Sequence, residues 1–282
     1  MIRVPKAFVT GYPVSHSYSP KIHNYWLNFY NIKGEYKAVE NTRETFPLFI
    51  RSLLKKGYSG GNVTLPHKEQ AFVISEKCDE AAQSIGAVNT LWLENGKICG
   101  GNTDAYGFIC NLDDFTPHWV SDTALVIGAG GASRAILFAL KQKRFQRIIL
   151  CNRTRSRAEH LARYFGKEIV VIDWQSLNDY VGEVDFIVNT TSLGMKNHSK
   201  NNNLVNFKKA PCNTIVTDIV YVPLETAFLK QAQEVGLRTV NGLGMLFHQA
   251  VPGFQRWFGI QPKVTKELRF YILSIMNERL KK

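Results

Sequence analysis

The stretch LVIGAGGASRAILFAL, Leu125 to Leu140, joins a short apolar run to a glycine turn and then to an amphipathic helical pattern. A strand that is apolar at every position is buried on both faces, as in a parallel sheet covered by helices. Gly128, Ala129, Gly130, Gly131 and Ala132 form the turn. Glycine permits the tight path and lets backbone amides approach a pyrophosphate, while the positive end of the next helix favours the anion. The third position of the usual GxGxxG is Ser133. A purely structural glycine turn is the competing reading.

The next strand, Ile148–Cys151, ends in CNRTRSR. A site for NAD places an acid there, about 20 residues past the glycines, to hold the ribose 2′-hydroxyl. This chain has Asn152, Arg153, Thr154 and Arg157 instead. A guanidinium grips a 2′-phosphate through paired charge-assisted bonds, whereas an acid repels it. The expected cofactor is therefore NADP(H), against the bland alternative of a solvated basic helix start.

Around this centre, strands at Ile169–Ile172, Phe186–Val188 and Ile215–Ile219 alternate with helices and predict a doubly wound sheet. Upstream, a strand at Lys6–Thr10 precedes a helix expected to be capped by Ser19 with Pro20 at its first position. Strands near Tyr36–Val39 and before Thr64, with helices between them, predict a largely parallel sheet there as well. Asn95-Gly96 marks a hairpin between Ala87–Leu93 and Lys97–Gly100. From Gly244 on, the pattern is helical, with an apolar stripe of Leu268, Tyr271, Ile272, Ile275 and Met276. The expected fold class is α/β with two domains: residues 1–105 plus 243–282 for the substrate, and a Rossmann-like 106–242 for the dinucleotide. The closing helices return to the first domain.

The 282 residues carry a formal charge of +12, with 45% hydrophobic and 21% charged residues, ordinary values for a globular chain. The basic residues are dispersed apart from Arg153–Arg157 and Lys281–Lys282, so nucleic-acid binding is disfavoured. No apolar run approaches ~18 residues, and the start lacks a signal-peptide pattern. Five cysteines without a CxxC favour neither a disulfide framework nor a zinc site, so no metal is expected and the cytoplasm is the expected compartment. The sequons at Asn62, Asn152, Asn189 and Asn197 are accordingly read as unmodified.

GNVTLPHKEQ, Gly61 to Gln70, reads as a strand followed by a helix opening at Pro66, with Lys68 in its first turn. A cation at that end is disfavoured by up to about 1 kcal/mol. If the loops bearing Thr64, Asn89 and Asp104 gather at one sheet edge, Lys68 gains an anionic partner and can exchange a proton near neutral pH. A lysine reaching solvent explains the position equally well. Ser17 and Ser19, beside a helix start, suit a carboxylate. Capping alone explains Ser19, and leaves Ser17 without a role. His16 and His67 are read as ordinary polar surface.

The strings GYPVSHSYSPKIHN, NVTLPHK, GAVNT, GGNTDAYG, GAGGASRA, NRTRSR, NTTSLGM, DIVYVPLET and NGLGMLFHQA occur in this order over nearly the whole chain. Together they resemble the shikimate dehydrogenase family. The resemblance implies a cytoplasmic enzyme, a monomer or homodimer, that reversibly reduces 3-dehydroshikimate to shikimate with NADPH in chorismate and aromatic amino-acid biosynthesis. It implies Lys68 and Asp104 as the catalytic pair and Ser17 and Ser19 as the carboxylate site. Thr64, Asn89 and Gln249 would hold ring hydroxyls, and Tyr221 would line the substrate site. Asn152, Arg153, Thr154 and Arg157 would clamp the adenosine phosphate, with Ile219 and Gly242 near the nicotinamide. Ala105 and Asn241 depart from the residues usual in the family. The rival readings are a quinate/shikimate dehydrogenase with relaxed substrate and cofactor choice, and a non-catalytic ligand-binding protein on the same fold.

Overall fold

Two six-stranded sheets organise the computed structural model, which describes residues 4–194 and 204–280. Each belongs to its own unit: unit 1 runs through Thr103 and resumes at Leu246, and unit 2 is Asp104–Met245. The sequon at Asn197 and the Lys281–Lys282 pair lie outside the described residues.

Unit 1 contains β1 (Lys6–Gly11), α1 (Ser19–Phe29), β2 (Glu35–Glu40), α2 (Phe46–Arg51), α3 (Leu53–Lys56), β3 (Gly60–Val63), α4 (Lys68–Ile74), β4 (Lys77–Cys78), α5 (Glu80–Ile85), β5 (Thr90–Glu94) and β6 (Lys97–Gly101). Its sheet order is β2-β1-β3-β5-β6-β4. β1 runs parallel to β2 and β3, and β4 parallel to β6, whereas β5 is antiparallel to both neighbours. The sheet is therefore mixed rather than largely parallel. Asn95 and Gly96 both take positive φ, the geometry a two-residue hairpin requires.

Unit 2 contains α6 (Asp104–Phe115), β7 (Thr123–Ile127), α7 (Gly131–Gln142), β8 (Arg147–Cys151), α8 (Arg155–Phe165), β9 (Ile169–Ile172), β10 (Phe186–Asn189), β11 (Ile215–Asp218), α9 (Ala227–Glu234) and β12 (Arg238–Val240). The order β12-β11-β10-β7-β8-β9 is parallel throughout. Leu125, Ile127, Ile149 and Ile187 enter one buried cluster, and the alternate residues Val126, Ile148, Leu150 and Val188 are equally inaccessible. Both faces of the sheet are covered, as its unbroken apolar strands predict.

The chain re-enters unit 1 through α10 (Leu243–His248), followed by α11 (Ala250–Phe258) and α12 (Lys266–Leu280). α11 packs on β3 and β5, and the Trp257 indole N–H donates to the Leu91 carbonyl at 2.8 Å. Gly60 permits this approach, since a Cβ there would stand 2.1 Å from that carbonyl oxygen and 2.4 Å from the indole nitrogen. The stripe on α12 is narrower than expected: Leu268, Ile272 and Met276 are buried, whereas Tyr271 is 38% exposed. Residues at i, i+4 and i+8 form one line, and Tyr271 sits on its flank.

α1 places His23 in an aromatic box. Its ring stacks on Tyr36 at 3.9 Å between centroids, with Trp26, Phe254 and Trp257 within 5.8 Å. Neither ring nitrogen meets a group in hydrogen-bonding geometry, although Asn62 is near enough to offset part of the effect of burial. Burial lowers the pKa from 6.5 to about 3. A depressed histidine pKa means that unfolding takes up a proton, so the contribution is fully present above 6.5 and is lost as pH falls toward 3. Between about pH 6.5 and 5, above the ordinary carboxylate range, the thermal midpoint of the native chain should fall relative to that of His23→Phe as pH falls. Parallel midpoint–pH curves would contradict the assignment. The variant leaves every other titrating group in place, so the difference in slope isolates His23.

Candidate functional site

In unit 1 the polar residues collect where the strand directions bring their ends together. Ser17 and Ser19 follow β1, and Thr64 and Lys68 follow β3. Because β5 is antiparallel to β3, Asn89 at its start lies at the same edge, and so does the Asn102–Thr103 segment that follows β6. Ligands of open α/β sheets bind outside such carboxyl ends.

Asn89 fastens this edge. Its side-chain oxygen accepts the Thr103 N–H at 2.9 Å, its amide donates to Thr103 Oγ1 at 3.0 Å, and its carbonyl accepts the Val63 N–H at 2.8 Å. The Thr103 hydroxyl donates to the Gln249 carbonyl at 2.7 Å, which ties in the turn before α11. Asn62 donates to the Asn89 carbonyl at 3.2 Å and accepts the hydroxyl of fully buried Tyr36 at 2.6 Å. Asn62, Tyr36 and Thr103 were not anticipated as part of the site, though a polar Asn62 in an otherwise apolar central strand was a readable signal.

The Lys68 environment corrects two expectations. α4 begins at Lys68, not Pro66: residues 64–67 form a turn closed by the His67 N–H to the Thr64 carbonyl at 3.0 Å. Lys68 is thus the first helical residue, and Glu69 supplies an acid in that turn. His67 is not surface but fully buried, its ring stacked on Phe46 and its Nε2 donating to the Asn41 carbonyl at 2.7 Å. The Lys68 carbonyl accepts the Val88 N–H at 2.9 Å, next to Asn89. Lys68 itself is half-buried. Asp104 follows Thr103 directly in the chain, is buried, and is the first residue of α6 in unit 2, as expected for a helix start.

The serines are also reassigned. Ser19 is the first helical residue and makes no cap, because Tyr18 holds the capping position. Ser17 Oγ instead accepts the Ser19 N–H at 3.2 Å, so the residue without a structural role acquires one. Ser19 is buried. Gln249 and Tyr221 are half-buried, in units 1 and 2 respectively.

In unit 2 the strand order reverses between β7 and β10, and the glycine turn follows β7 at that point. Gly128 has φ +110, and a Cβ on it would meet Thr190 Oγ1 at 2.7 Å. Over Gly130 and Gly131, by contrast, an added Cβ would meet nothing within 4 Å, which leaves their amides open to an anion at the start of the 12-residue α7. Ser133 fits the third glycine position because its buried hydroxyl donates to the Gly130 carbonyl at 2.5 Å. Asn152 couples the turn to the basic loop: its side-chain oxygen accepts the Ala129 N–H at 3.1 Å and its amide donates to the Thr154 carbonyl at 2.8 Å.

Arg153, Thr154 and Arg157 are exposed after β8. Arg155 is neutralised by Glu159 and Asp173, but among the described residues neither Arg153 nor Arg157 has an ion-pair partner. A turn open to a diphosphate beside two uncompensated guanidiniums fits a nucleotide with an extra phosphate on its adenosine ribose.

On the opposite side of β7, Asp218 ends β11 fully buried. It accepts the Thr226 hydroxyl at 2.8 Å, the Val220 N–H at 3.0 Å and the Asn189 amide at 3.1 Å. Burial pushes its carboxyl up to about 6 against these three bonds, which favour the anion. Ile219 follows it, and the Gly242 N–H donates to the Val220 carbonyl at 3.3 Å. Within DIVYVPLET, Asp218 was not anticipated as a site residue, although an acid closing a buried strand was the signal.

The chain is 55% identical over 280 residues, 98% of its length and 96% of the relative's, to the shikimate dehydrogenase (NADP(+)) of Bartonella henselae. The chain belongs to the shikimate dehydrogenase family. Residues 9–91 match the shikimate dehydrogenase substrate binding domain, 112–243 the shikimate / quinate 5-dehydrogenase family and 242–266 the shikimate 5'-dehydrogenase C-terminal domain. Among solved structures, the Thermus thermophilus shikimate 5-dehydrogenase in complex with NADP(H) and shikimate is 33% identical with a TM-score of 0.81, over 92% of this chain and 95% of that one. Quinate dehydrogenase from Corynebacterium glutamicum, in complex with NAD, is 27% identical with a TM-score of 0.89, over 96% of this chain and 99% of that one. Within this family fold, the basic loop after β8 holds arginines where an NAD site would hold an acid.

Proposed function

We propose that this chain catalyses the NADPH-dependent, reversible reduction of 3-dehydroshikimate to shikimate in aromatic amino-acid biosynthesis. The observation that carries the reading is the uncompensated Arg153–Arg157 pair beside an open glycine turn, in a chain 55% identical to a relative named for this activity and cofactor. Unit 1 is the substrate domain and unit 2 the dinucleotide domain. The cytoplasm is the proposed location, where the five unpaired cysteines stay reduced, and a monomer or homodimer the proposed state.

NADPH supplies the hydride when bound. Gly128 and Ala129 would shape the turn, their own amides bonded to the Cys151 carbonyl and the Asn152 side chain, and Gly130, Gly131 and Ala132 would present amides to the diphosphate; Asn152, Arg153, Thr154 and Arg157 would hold the adenosine phosphate, and Ile219 and Gly242 would border the nicotinamide. Ser17 and Ser19 are assigned to the carboxylate, Thr64, Asn89 and Gln249 to the ring hydroxyls, and Tyr221 to the substrate. Lys68 gives its proton to the ketone oxygen as charge develops there, and Asp104, the other member of the catalytic pair, accepts a bond from a ring hydroxyl. In the reverse direction the same lysine takes the hydroxyl proton.

A second reading, quinate oxidation with NAD, is favoured by the likeness to the Corynebacterium glutamicum quinate dehydrogenase in complex with NAD. The arginines argue against it, since nothing in that loop suits an unmodified ribose 2′-hydroxyl. A non-catalytic binder has no use for both Lys68 and Asp104.

Lys68→Ala should lower kcat at least about a hundredfold with a modest change in KM for shikimate. Near-normal turnover would remove Lys68 from the chemistry. Arg153→Ala with Arg157→Ala should raise KM for NADPH by roughly a hundredfold or more, each lost charge-assisted bond contributing about 1.5–3 kcal/mol, and leave KM for NADH almost unchanged. Equal effects on the two nucleotides, measured by initial rates, would contradict the 2′-phosphate assignment.

A further inference from the structure

Among the described residues, the buried carboxylate of Asp218 has no ion-pair partner. The groups facing it come from the end of β10 (Asn189), from its own loop (the Val220 amide) and from the start of α9 (Thr226), and none of them titrates or carries charge. Its surroundings are rigid: the Ile219 N–H donates to the Asn189 carbonyl at 3.2 Å, and the Gly242 N–H crosses to the Val220 carbonyl. Thr226 is itself held, capping α9 by accepting the Leu229 N–H. All three donors point at the carboxylate, so the network is built for its ionised form.

The two carboxylate oxygens satisfy all three donors, but at the cost of desolvating a charge. The location suggests what the charge is for. The open glycine turn follows β7 and the basic loop follows β8. A dinucleotide with its diphosphate on the first and its adenosine on the second extends its other half toward β10 and β11, where Asp218 sits. That half is a neutral ring when reduced and a pyridinium cation when oxidised.

We propose that Asp218 is a buried counter-charge that makes this edge of unit 2 hold the oxidised, cationic nicotinamide ring more tightly than the reduced one. The inference rests on the dinucleotide reading of unit 2. It assigns Asp218 an electrostatic role through space: the residue favours positive charge on the ring and contributes no proton or ligand bond. A negative charge near the ring would also favour hydride loss, since the ring gains positive charge along that path.

The test is a fluorescence titration of NADP+ and NADPH against the native chain and Asp218→Asn, from about pH 5 to pH 8. Both nucleotides carry the same phosphates, so the ratio of their dissociation constants cancels phosphate titration and adenosine contacts. At the upper pH, Asp218→Asn should raise Kd(NADP+)/Kd(NADPH) on the order of fivefold. In the native chain the ratio should rise toward the variant's value as pH falls and the carboxylate is protonated, while the variant's ratio stays flat. The native titration decides the matter alone if the variant does not fold. A pH-independent native ratio, or a variant that weakens both nucleotides equally, would overturn the inference and leave the dinucleotide reading standing. Failure of the native chain to bind either nucleotide would overturn both.

Discussion

The buried amide of Asn89 is the joint on which unit 1 depends. Its two side-chain atoms exchange hydrogen bonds with one residue, Thr103, and its carbonyl holds the end of β3. In a low-dielectric interior such bonds are strong, and leaving any of these groups unpaired costs about 1–3 kcal/mol. The same bonds fix the segment after β6 against the edge after β3, so the loops bearing Thr64, Lys68 and Gln249 are placed by the sheet itself. Stability and function share one network, which ties the candidate substrate residues to the core of the domain.

Unit 2 solves a different problem, the handling of charge. It has open backbone amides at Gly130 and Gly131, exposed cations at Arg153 and Arg157, and a buried anion at Asp218, arranged in that order along the carboxyl edge from its centre outward on either side. Asn152 makes the first two a single structure, since one side chain bonds both the glycine turn and the basic loop. A long anion with a cationic end when oxidised is the ligand class this distribution suits.

Much of this was legible in the sequence, because the decisive signals were local. The glycine turn, the apolar run before it, Asn95-Gly96 and the helix start at Asp104 each depend on a few neighbouring residues. What escaped depends on distant partners. The direction of β5 against β3 is set by a pairing between segments about 30 residues apart. The start of α4 at Lys68 follows from a turn closed on Thr64, and the burial of His67 from Phe46 and Asn41, more than 20 residues earlier. Ser17 was left without a role because capping was assigned to Ser19, whereas the chain enters the helix one residue sooner. Asp218 was passed over although two of its partners, Val220 and Thr226, lie in the same DIVYVPLET stretch; only Asn189 is distant.

The most direct test of the assigned activity is the initial rate of nucleotide reduction with shikimate or quinate as donor, each offered with NADP+ and with NAD+ in parallel. The account predicts that shikimate with NADP+ is turned over with the highest kcat/KM of the four pairs. No turnover of shikimate with either nucleotide, or a clear preference for quinate with NAD+, would contradict it.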